Sequence, residues 1–457
     1  MIKSFGIKNE DLESNIFPNY YLFKQKIKNF SLRKDITSFS LGDKDVLEVL
    51  TDGEHAGQKF VQSGALFIKN SCVKRYSVNE FDGFYISHEK NNLLKRSKLK
   101  KDDILFTTIG YYVGVSALVN SNVENANINQ NVVRIRVNPK ITTPQYLSCF
   151  LNSKIVRFQI DNLFSGNIYP LLTYPKIKAL KIFIKDKKVE KAVTEKIILA
   201  EEKNIESLKL IKEAQSLFTK SLGVDFAAIK ASKFYGVNNK QFQGDDMMTP
   251  AFYYPLYTNT TKIIAENNHC EPLGTLADFR NGDEVGSVNY KSYLNRKEGD
   301  LPFIRTSDLV NYDFDPYPDF FIEKSIYDEL GQNLDKDEIL FTKDGKIGIS
   351  AMTTKYDRCI LGSGILRIVP KKDKINPHYL FIALSTKEVG IYQAIQRTVV
   401  ASTMPHLRED RIGDFSIPIL KNQKKIIELT EAAFKLRDDR KKLITDSRLL
   451  IEQSLEV

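Results

Sequence analysis

Cysteine is scarce: the 457 residues hold 4, Cys72, Cys149, Cys270 and Cys359, spread far apart. No C-x-x-C or H-x-x-x-H spacing occurs, so a structural zinc site lacks its ligands. The adjacent pair His269-Cys270 stands just before Pro272 and reads as loop. No apolar run reaches the roughly 20 residues that a membrane-spanning helix requires. Met1 to Glu10 is polar and mixed in charge, unlike a signal peptide. A soluble cytoplasmic protein without membrane contact is expected. Catalytic signatures are missing as well. No G-x-x-x-x-G-K-S/T phosphate loop exists, and Asp344-Gly345-Lys346-Ile347-Gly348 is too short to form one. No G-x-G-x-x-G follows a strand, and no Asn/Asp-Pro-Pro-Tyr/Phe tetrapeptide of an amino-methyltransferase is present. Pro318-Asp319 followed by Glu323-Lys324 has the wrong spacing for a nuclease carboxylate cluster. His55, His88, His378 and His406 are scattered and signpost no serine-histidine-aspartate trio. The expectation is a non-catalytic chain that holds no cofactor and no metal.

What is present points to two or more packed domains. Hydrophobic residues make up 42% of the chain, enough for ordinary cores, and its length exceeds one typical domain. The net charge of +10 is a mild pointer to an anionic partner.

An internal repeat organises the sequence. Lys101-Asp102-Asp103-Ile104-Leu105-Phe106-Thr107 returns as Lys336-Asp337-Glu338-Ile339-Leu340-Phe341-Thr342, 235 residues later. Gly110 and Gly114 return as Gly345 and Gly348, and Val115-Ser116-Ala117 returns as Ile349-Ser350-Ala351. Upstream, Phe67-Ile68-Lys69 matches Phe303-Ile304-Arg305; downstream, Pro144-Gln145-Tyr146-Leu147 matches Pro377-His378-Tyr379-Leu380. Asn152-Ser153-Lys154 likewise matches Ser385-Thr386-Lys387. Co-linear matches at nearly one offset indicate a duplication of half the chain.

Each half divides in two. Its first part carries short apolar runs between turn residues, such as 103–106 and 131–137, followed by a short helix that Pro144 can start. That part reads as an α/β (α+β) globule. Its second part is one long helix. Ile426, Leu429, Ala433, Leu436, Arg440, Leu443, Ser447, Leu450 and Ser454 step by three and four, the spacing of a coiled-coil seam. Val193, Ile197, Ala200, Asn204, Leu208, Ile211, Gln215, Phe218 and Leu222 repeat the design, with one slip at Asn204 to Leu208. The matching placement of the two helices predicts that they pair with each other. The expected division is a first globule over 1–184, a helix over 185–222, a connector over 223–248, a second globule over 249–420 and a second helix over 421–457.

Two globules, each followed by a long helix, resemble the specificity subunits of Type I restriction-modification systems. Local sequence agrees. Thr51-Asp52-Gly53-Glu54-His55 with Phe67-Ile68-Lys69 resembles the opening of that family's first target-recognition domain. Ile417-Pro418-Ile419 with Gln423-Lys424-Lys425-Ile426 resembles its Ile-Pro-x-Pro-x-x-x-Gln lead into the spacer helix, with leucine at 420 in place of the second proline. The first copy, Ile182-Phe183-Ile184, has neither the proline nor the glutamine. The resemblance covers essentially the whole chain. It implies that each target-recognition domain reads one short half-site in double-stranded DNA and that the helices pair antiparallel as a ruler between half-sites. It further implies that DNA methyltransferase subunits dock on the helices, through Ile197, Leu208, Ile211, Leu436, Leu443 and Leu450, and that a motor-endonuclease subunit joins for cleavage.

Phosphate contacts come from Lys and Arg, and base contacts from Arg, Lys, Asn, Gln, Ser and Thr. Residues of these types beside the repeated strands are Lys69, Asn70, Lys74 and Arg75 in the first half and Arg305, Thr306 and Ser307 in the second. Arg96, between Lys95 and Lys98, belongs to a short basic run suited to phosphates. The turn after the repeated Phe-Thr differs between copies, with Thr108 and Tyr111 in one and Lys343 and Lys346 in the other. A shared scaffold with different polar tips suits two different half-sites. Three other readings stay open: the specificity subunit of a Type II system with a fused methylase-nuclease, a coiled-coil adaptor that binds only proteins, and a cryptic nuclease.

Overall fold

The computed structural model describes residues 18–55, 57–80, 83–110, 113–163, 171–232, 234–238, 247–286, 299–315, 318–401 and 404–456. The chain forms two compact units, Met1–Glu202 with Asp439–Val457, and Lys203–Asp438. Both long helices run through the division. Lys187–Ser221 and Lys424–Leu455 each give one part to each unit.

Unit 1 is a mixed α/β body. Its four-stranded antiparallel sheet has the order Leu47–Asp52, Val132–Val137, Ile104–Thr107, Ser116–Leu118. A three-stranded sheet sets Ala65–Ile68 antiparallel to Phe84–Ile86 and parallel to Asn127–Ile128. Thr37–Ser40 pairs with Lys181–Ile184, and Val73–Lys74 with Ser77–Val78. Unit 2 repeats this strand for strand. Its sheet order is Ala277–Asn281, Ile365–Pro370, Ile339–Thr342, Ser350–Met352. Leu301–Ile304 lies between Phe321–Ile322 and Ile360–Leu361, Cys270–Pro272 pairs with Ser416–Pro418, and Leu309–Val310 pairs with Asp313–Phe314. Unit 2 has in addition a hairpin of Thr398–Ala401 with Met404–Leu407.

The repeated motif has a structural cause in both units. The carboxylate of Asp103 accepts from the Lys100 N–H at 2.8 Å, and that of Glu338 from the Asp335 N–H at 3.0 Å, closing the turn before each strand. The residue ahead of each, Asp102 and Asp337, takes a positive φ of 67° and 72°, a conformation in which Asp is enriched. At the other end the Thr107 and Thr342 hydroxyls accept from the Val115 and Ile349 N–H groups, both at 2.9 Å. Gly110 and Gly345 follow at φ 88° and 70°, where a side chain would be strained.

Each buried acid also holds an arginine on the neighbouring strand. Arg367 is bidentate to Glu338 with both N···O distances at 2.8 Å, and the two side chains are 3% and 1% exposed. Asp103 holds Arg136 at 2.6 Å and Arg134 at 3.8 Å. Behind each sheet a helix, Pro144–Leu151 or Pro377–Ser385, starts on a proline after a capping Thr143 or Asn376. A tyrosine from that helix pins the strand leading to the long helix. Tyr146 donates to the Phe183 carbonyl and Tyr379 to the Pro418 carbonyl, each at 2.6 Å.

The first long helix buries Val193, Ile197, Ala200, Asn204, Leu208, Ile211, Phe218 and Leu222, with Ser207 and Ala214 in addition; Gln215 is half-buried. In unit 2, Ile211, Ala214, Phe218 and Leu222 share one apolar cluster with Ile426, Leu429, Ala433 and Phe434 of the second helix. In unit 1, Arg440 stands 4.0 Å from Glu201. The second seam departs from the expected positions. Leu436, Leu443 and Leu450 are half-buried and the residues after them, Arg437, Ile444 and Ile451, are fully buried, while Ile426, Leu429, Ala433 and Ser447 are buried where the spacing put them. Arg437 explains the shift. Its guanidinium donates to the Asn311 carbonyl at the turn of the Leu309–Phe314 hairpin and lies 3.6 Å from Asp313. No described helix is long and apolar enough to cross a membrane.

Candidate nucleic-acid interface

In each unit the turn after the middle strand comes close to the turn after the first strand of the three-stranded sheet. In unit 1 a Cβ placed on Gly110 would lie 3.8 Å from the Asn70 amide nitrogen. In unit 2 a Cβ on Gly364 would lie 2.8 Å from the Thr306 methyl and 3.3 Å from Asp344. The structure therefore brings Lys69 and Asn70 to the Thr108–Gly110 turn, and Arg305 and Thr306 to the Lys343–Asp344 turn. These clusters lie far apart in sequence. Tyr111 lies outside the described residues.

In unit 1, Lys69 and Asn70 are half-buried and begin a short 3-10 turn over Asn70–Cys72. The Lys69 ammonium sits 3.5 Å from the centre of the Phe84 ring and 5.0 Å from that of Phe60. Thr108 is 6% exposed, and its hydroxyl and N–H both donate to the Asn131 carbonyl. Its hydroxyl is thus engaged within the turn. Lys74 is 3% exposed, which removes it from any outer surface. With Arg75 it belongs to the Val73–Val78 hairpin, whose Tyr76 carbonyl accepts from Arg440 of the second long helix at 2.8 Å. Arg96 holds the end of a strand. It is bonded to Asp52 at 2.6 Å, to the Thr51 hydroxyl at 2.9 Å and to the Gly53 carbonyl at 3.1 Å. Burial would raise the Asp52 carboxyl, but Arg96, Tyr174 and His55 together hold it below its ordinary value. Gly53 itself admits no side chain, since a Cβ would fall 1.8 Å from the Ile128 carbonyl oxygen.

Unit 2 fills the same places differently. Arg305 stacks on Phe320 at 3.9 Å and faces Asp308 at 3.4 Å and Asp319 at 3.8 Å. Lys343, the counterpart of Thr108, is 5% exposed and bonded to Glu409 and to Asn281, the latter at 3.1 Å. Burial would raise the Glu409 carboxyl, yet the bonds from Lys343 and Asn281 bring it below its ordinary value. Lys343 is thus an internal ion pair and not an open cation. Asp344 pairs with His406 of the added hairpin, and the Gly345 N–H donates to the Pro405 carbonyl at 3.0 Å. Lys346 is exposed, and Thr306 and Ser307 are half-buried.

Among the residues assigned to partner docking, Ile197, Leu208 and Ile211 are 5%, 1% and 0% exposed. They are buried in the packing of the chain itself. Leu436, Leu443 and Leu450 keep part of their surface open, as do the more exposed Ile198, Leu199 and Leu449.

Sequence reasoning missed Phe60, Phe84, Asn281, His406 and Glu409. No local motif marks them: Phe84 reaches Lys69 because strand register sets Phe84 opposite Phe67. His406 arrives on a hairpin that has no described counterpart in the first half, and Glu409 on the 3-10 turn just after it. Unit 2 also holds a cavity of about 650 Å³ lined by residues including Lys336, His378, Glu431 and Phe434. Burial pulls the His378 imidazole below its usual value, against the nearby Asp337 and Glu431.

Residues 274–444 match the Type I restriction modification DNA specificity domain. No curated protein matches the chain. Two solved structures are similar over most of their length. The Type-I restriction-modification system S subunit from M. genitalium is 15% identical over 93% of this chain and 96% of its own, with a TM-score of 0.35. The HsdS subunit from Thermoanaerobacter tengcongensis is 15% identical over 93% of this chain and 97% of its own, with a TM-score of 0.29. The match at 274–444 assigns the Type I restriction modification DNA specificity domain to that stretch of the chain.

Proposed function

We propose that the chain is the DNA-recognition subunit of a restriction-modification complex, itself non-catalytic and without a cofactor. Each target-recognition domain, over 1–184 and 249–420, reads one short half of a bipartite site in double-stranded DNA. The helices over 185–222 and 421–457, joined by the connector at 223–248, act as an antiparallel coiled-coil spacer between half-sites. DNA methyltransferase subunits and a motor-endonuclease subunit are the partners directed to that site, in the cytoplasm. One observation carries this reading: a strand order repeated in both units presents different polar side chains at the same two adjacent turns. A duplicated scaffold with unlike tips suits a target of two unlike halves. The net charge of +10 supports an anionic partner.

The test is binding of the purified chain, with whatever subunits copurify, to duplex DNA over a salt series. Released counterions give a log–log slope of about −0.9 for each neutralised phosphate, so affinity falls steeply with salt. The chain alone, given magnesium, ATP and S-adenosylmethionine, leaves DNA uncut and unmodified. A flat salt response favours the protein-binding adaptor, and cleavage by the chain alone favours a nuclease.

A further inference from the structure

In unit 1, two large aromatic side chains meet at the surface: Phe60 and Phe84 are 39% and 42% exposed. The Phe60 and Phe84 rings are 4.5 Å apart, and the ammonium of Lys69 rests on both. Val61 is bridged to Tyr85, so the patch is tied to the sheet. Neither Lys59, next to Phe60, nor Lys69 forms an ion pair among the described residues.

The corresponding place in unit 2 is closed. The Phe303 N–H donates to the Phe320 carbonyl, as register sets Phe67 opposite Phe84, so Arg305 on Phe320 occupies the position of Lys69 on Phe84. Arg305, however, lies against two buried carboxylates, Asp308 and Asp319, and Phe320 is only 3% exposed. Where unit 2 has Asp308 and Asp319, unit 1 has Cys72 and Gly83, and among the described residues no acid pairs with Lys69.

A free lysine carries rotamer entropy, part of which is lost on any contact. The two rings already restrict Lys69, and a cation over an aromatic face is held without losing its charge or its donors. A phosphate contact needs no such seat, whereas a base-edge contact needs a donor at a fixed point. The rings around it are suited to apolar contact with bases, such as a thymine methyl.

We propose that Lys69, seated on Phe60 and Phe84, is a specificity-determining residue of unit 1, its ammonium donating to an acceptor on a base edge of duplex DNA, while its counterpart Arg305 is an internal ion pair. This rests on the DNA-recognition reading above. The occupant is DNA because the patch joins an ammonium, with no ion-pair partner among the described residues, to aromatic side chains that can meet a base edge.

The experiment maps modified bases in cells that naturally carry the chain, after Lys69→Gln and, separately, Phe84→Leu and Arg305→Gln. With K69Q one base pair in one half of the recognised sequence relaxes, sites differing there gaining modification about tenfold or more, while the other half is unchanged. F84L keeps the charge but loosens its seat, and relaxes the same base pair less. R305Q lowers thermal stability and leaves the recognised bases as they were. Normal chain abundance and melting of K69Q separate these outcomes from misfolding. The proposal is overturned if K69Q leaves the sequence unchanged, or lowers modification at all sites equally, as a phosphate contact would. No chain-dependent motif in wild-type cells would instead overturn the DNA-recognition reading, and this proposal with it.

Discussion

Unit 1 and unit 2 share a strand order and differ in what closes the turns at one end of it. Unit 1 leaves a lysine on two half-exposed rings, with a buried threonine at the neighbouring turn. Unit 2 encloses an arginine and a lysine with four acidic or amide partners, Asp308, Asp319, Glu409 and Asn281, and adds a hairpin over that turn. The features that repeat are those that hold the sheet: the acid–arginine pair, the threonine at the strand end and the tyrosine pin. The repeated residues therefore belong to the scaffold, and the differences between equal positions lie at the turns that the scaffold carries.

Breaking the scaffold should affect both units, and the second more. Glu338→Ala strands a bidentate, nearly inaccessible Arg367, and removing one partner of such a pair costs about 3–5 kcal/mol. Asp103→Ala should cost less, because Arg136 is 26% exposed and can be hydrated. Hydrogen exchange of Ile339–Thr342 against Ile104–Thr107 reads each unit separately. Equal losses would contradict the difference in burial.

The tyrosine pins give a smaller contrast. Tyr379→Phe orphans the Pro418 carbonyl and also the Leu420 N–H, which its oxygen accepts at 3.1 Å. Tyr146→Phe orphans the Phe183 carbonyl alone. An unsatisfied buried group costs about 1–3 kcal/mol, so denaturant unfolding should place Y379F below Y146F.

The smallest effect concerns pH. The lowered Glu409 carboxyl contributes stability above its unfolded value, and that contribution is lost as pH falls through its folded value. Acidification should therefore loosen the hairpin over 398–407. Glu409→Gln should remove that dependence, at a cost under about 1 kcal/mol because the Glu409 side chain is 38% exposed. Hydrogen exchange across the hairpin at falling pH checks it. Unit 1 carries Thr108 at the equivalent turn and should lack this ion-pair term there.

Much of the scaffold was legible before any coordinates. The repeat Lys-Asp-Asp/Glu-Ile-Leu-Phe-Thr located both middle strands, because its acid, its threonine and its apolar run each do one local job. The first helical seam was legible from apolar spacing alone. The second was off by one residue at Leu436, Leu443 and Leu450 though not at Ser447, because hydrophobic periodicity cannot register a buried arginine such as Arg437. Charge type alone does not tell an exposed cation from a buried one. Lys74 and Lys343 look like surface cations in sequence and are buried. The aromatic seat of Lys69 could not be read, since Phe60 and Phe84 meet only through sheet register and a bridge between Val61 and Tyr85.

The most direct measurement compares modified bases genome-wide in cells with the gene intact, deleted and restored. A two-part sequence should be modified with the gene, unmodified without it, and modified again on restoration. An identical modification map in all three strains would contradict a role for this chain in choosing DNA sites.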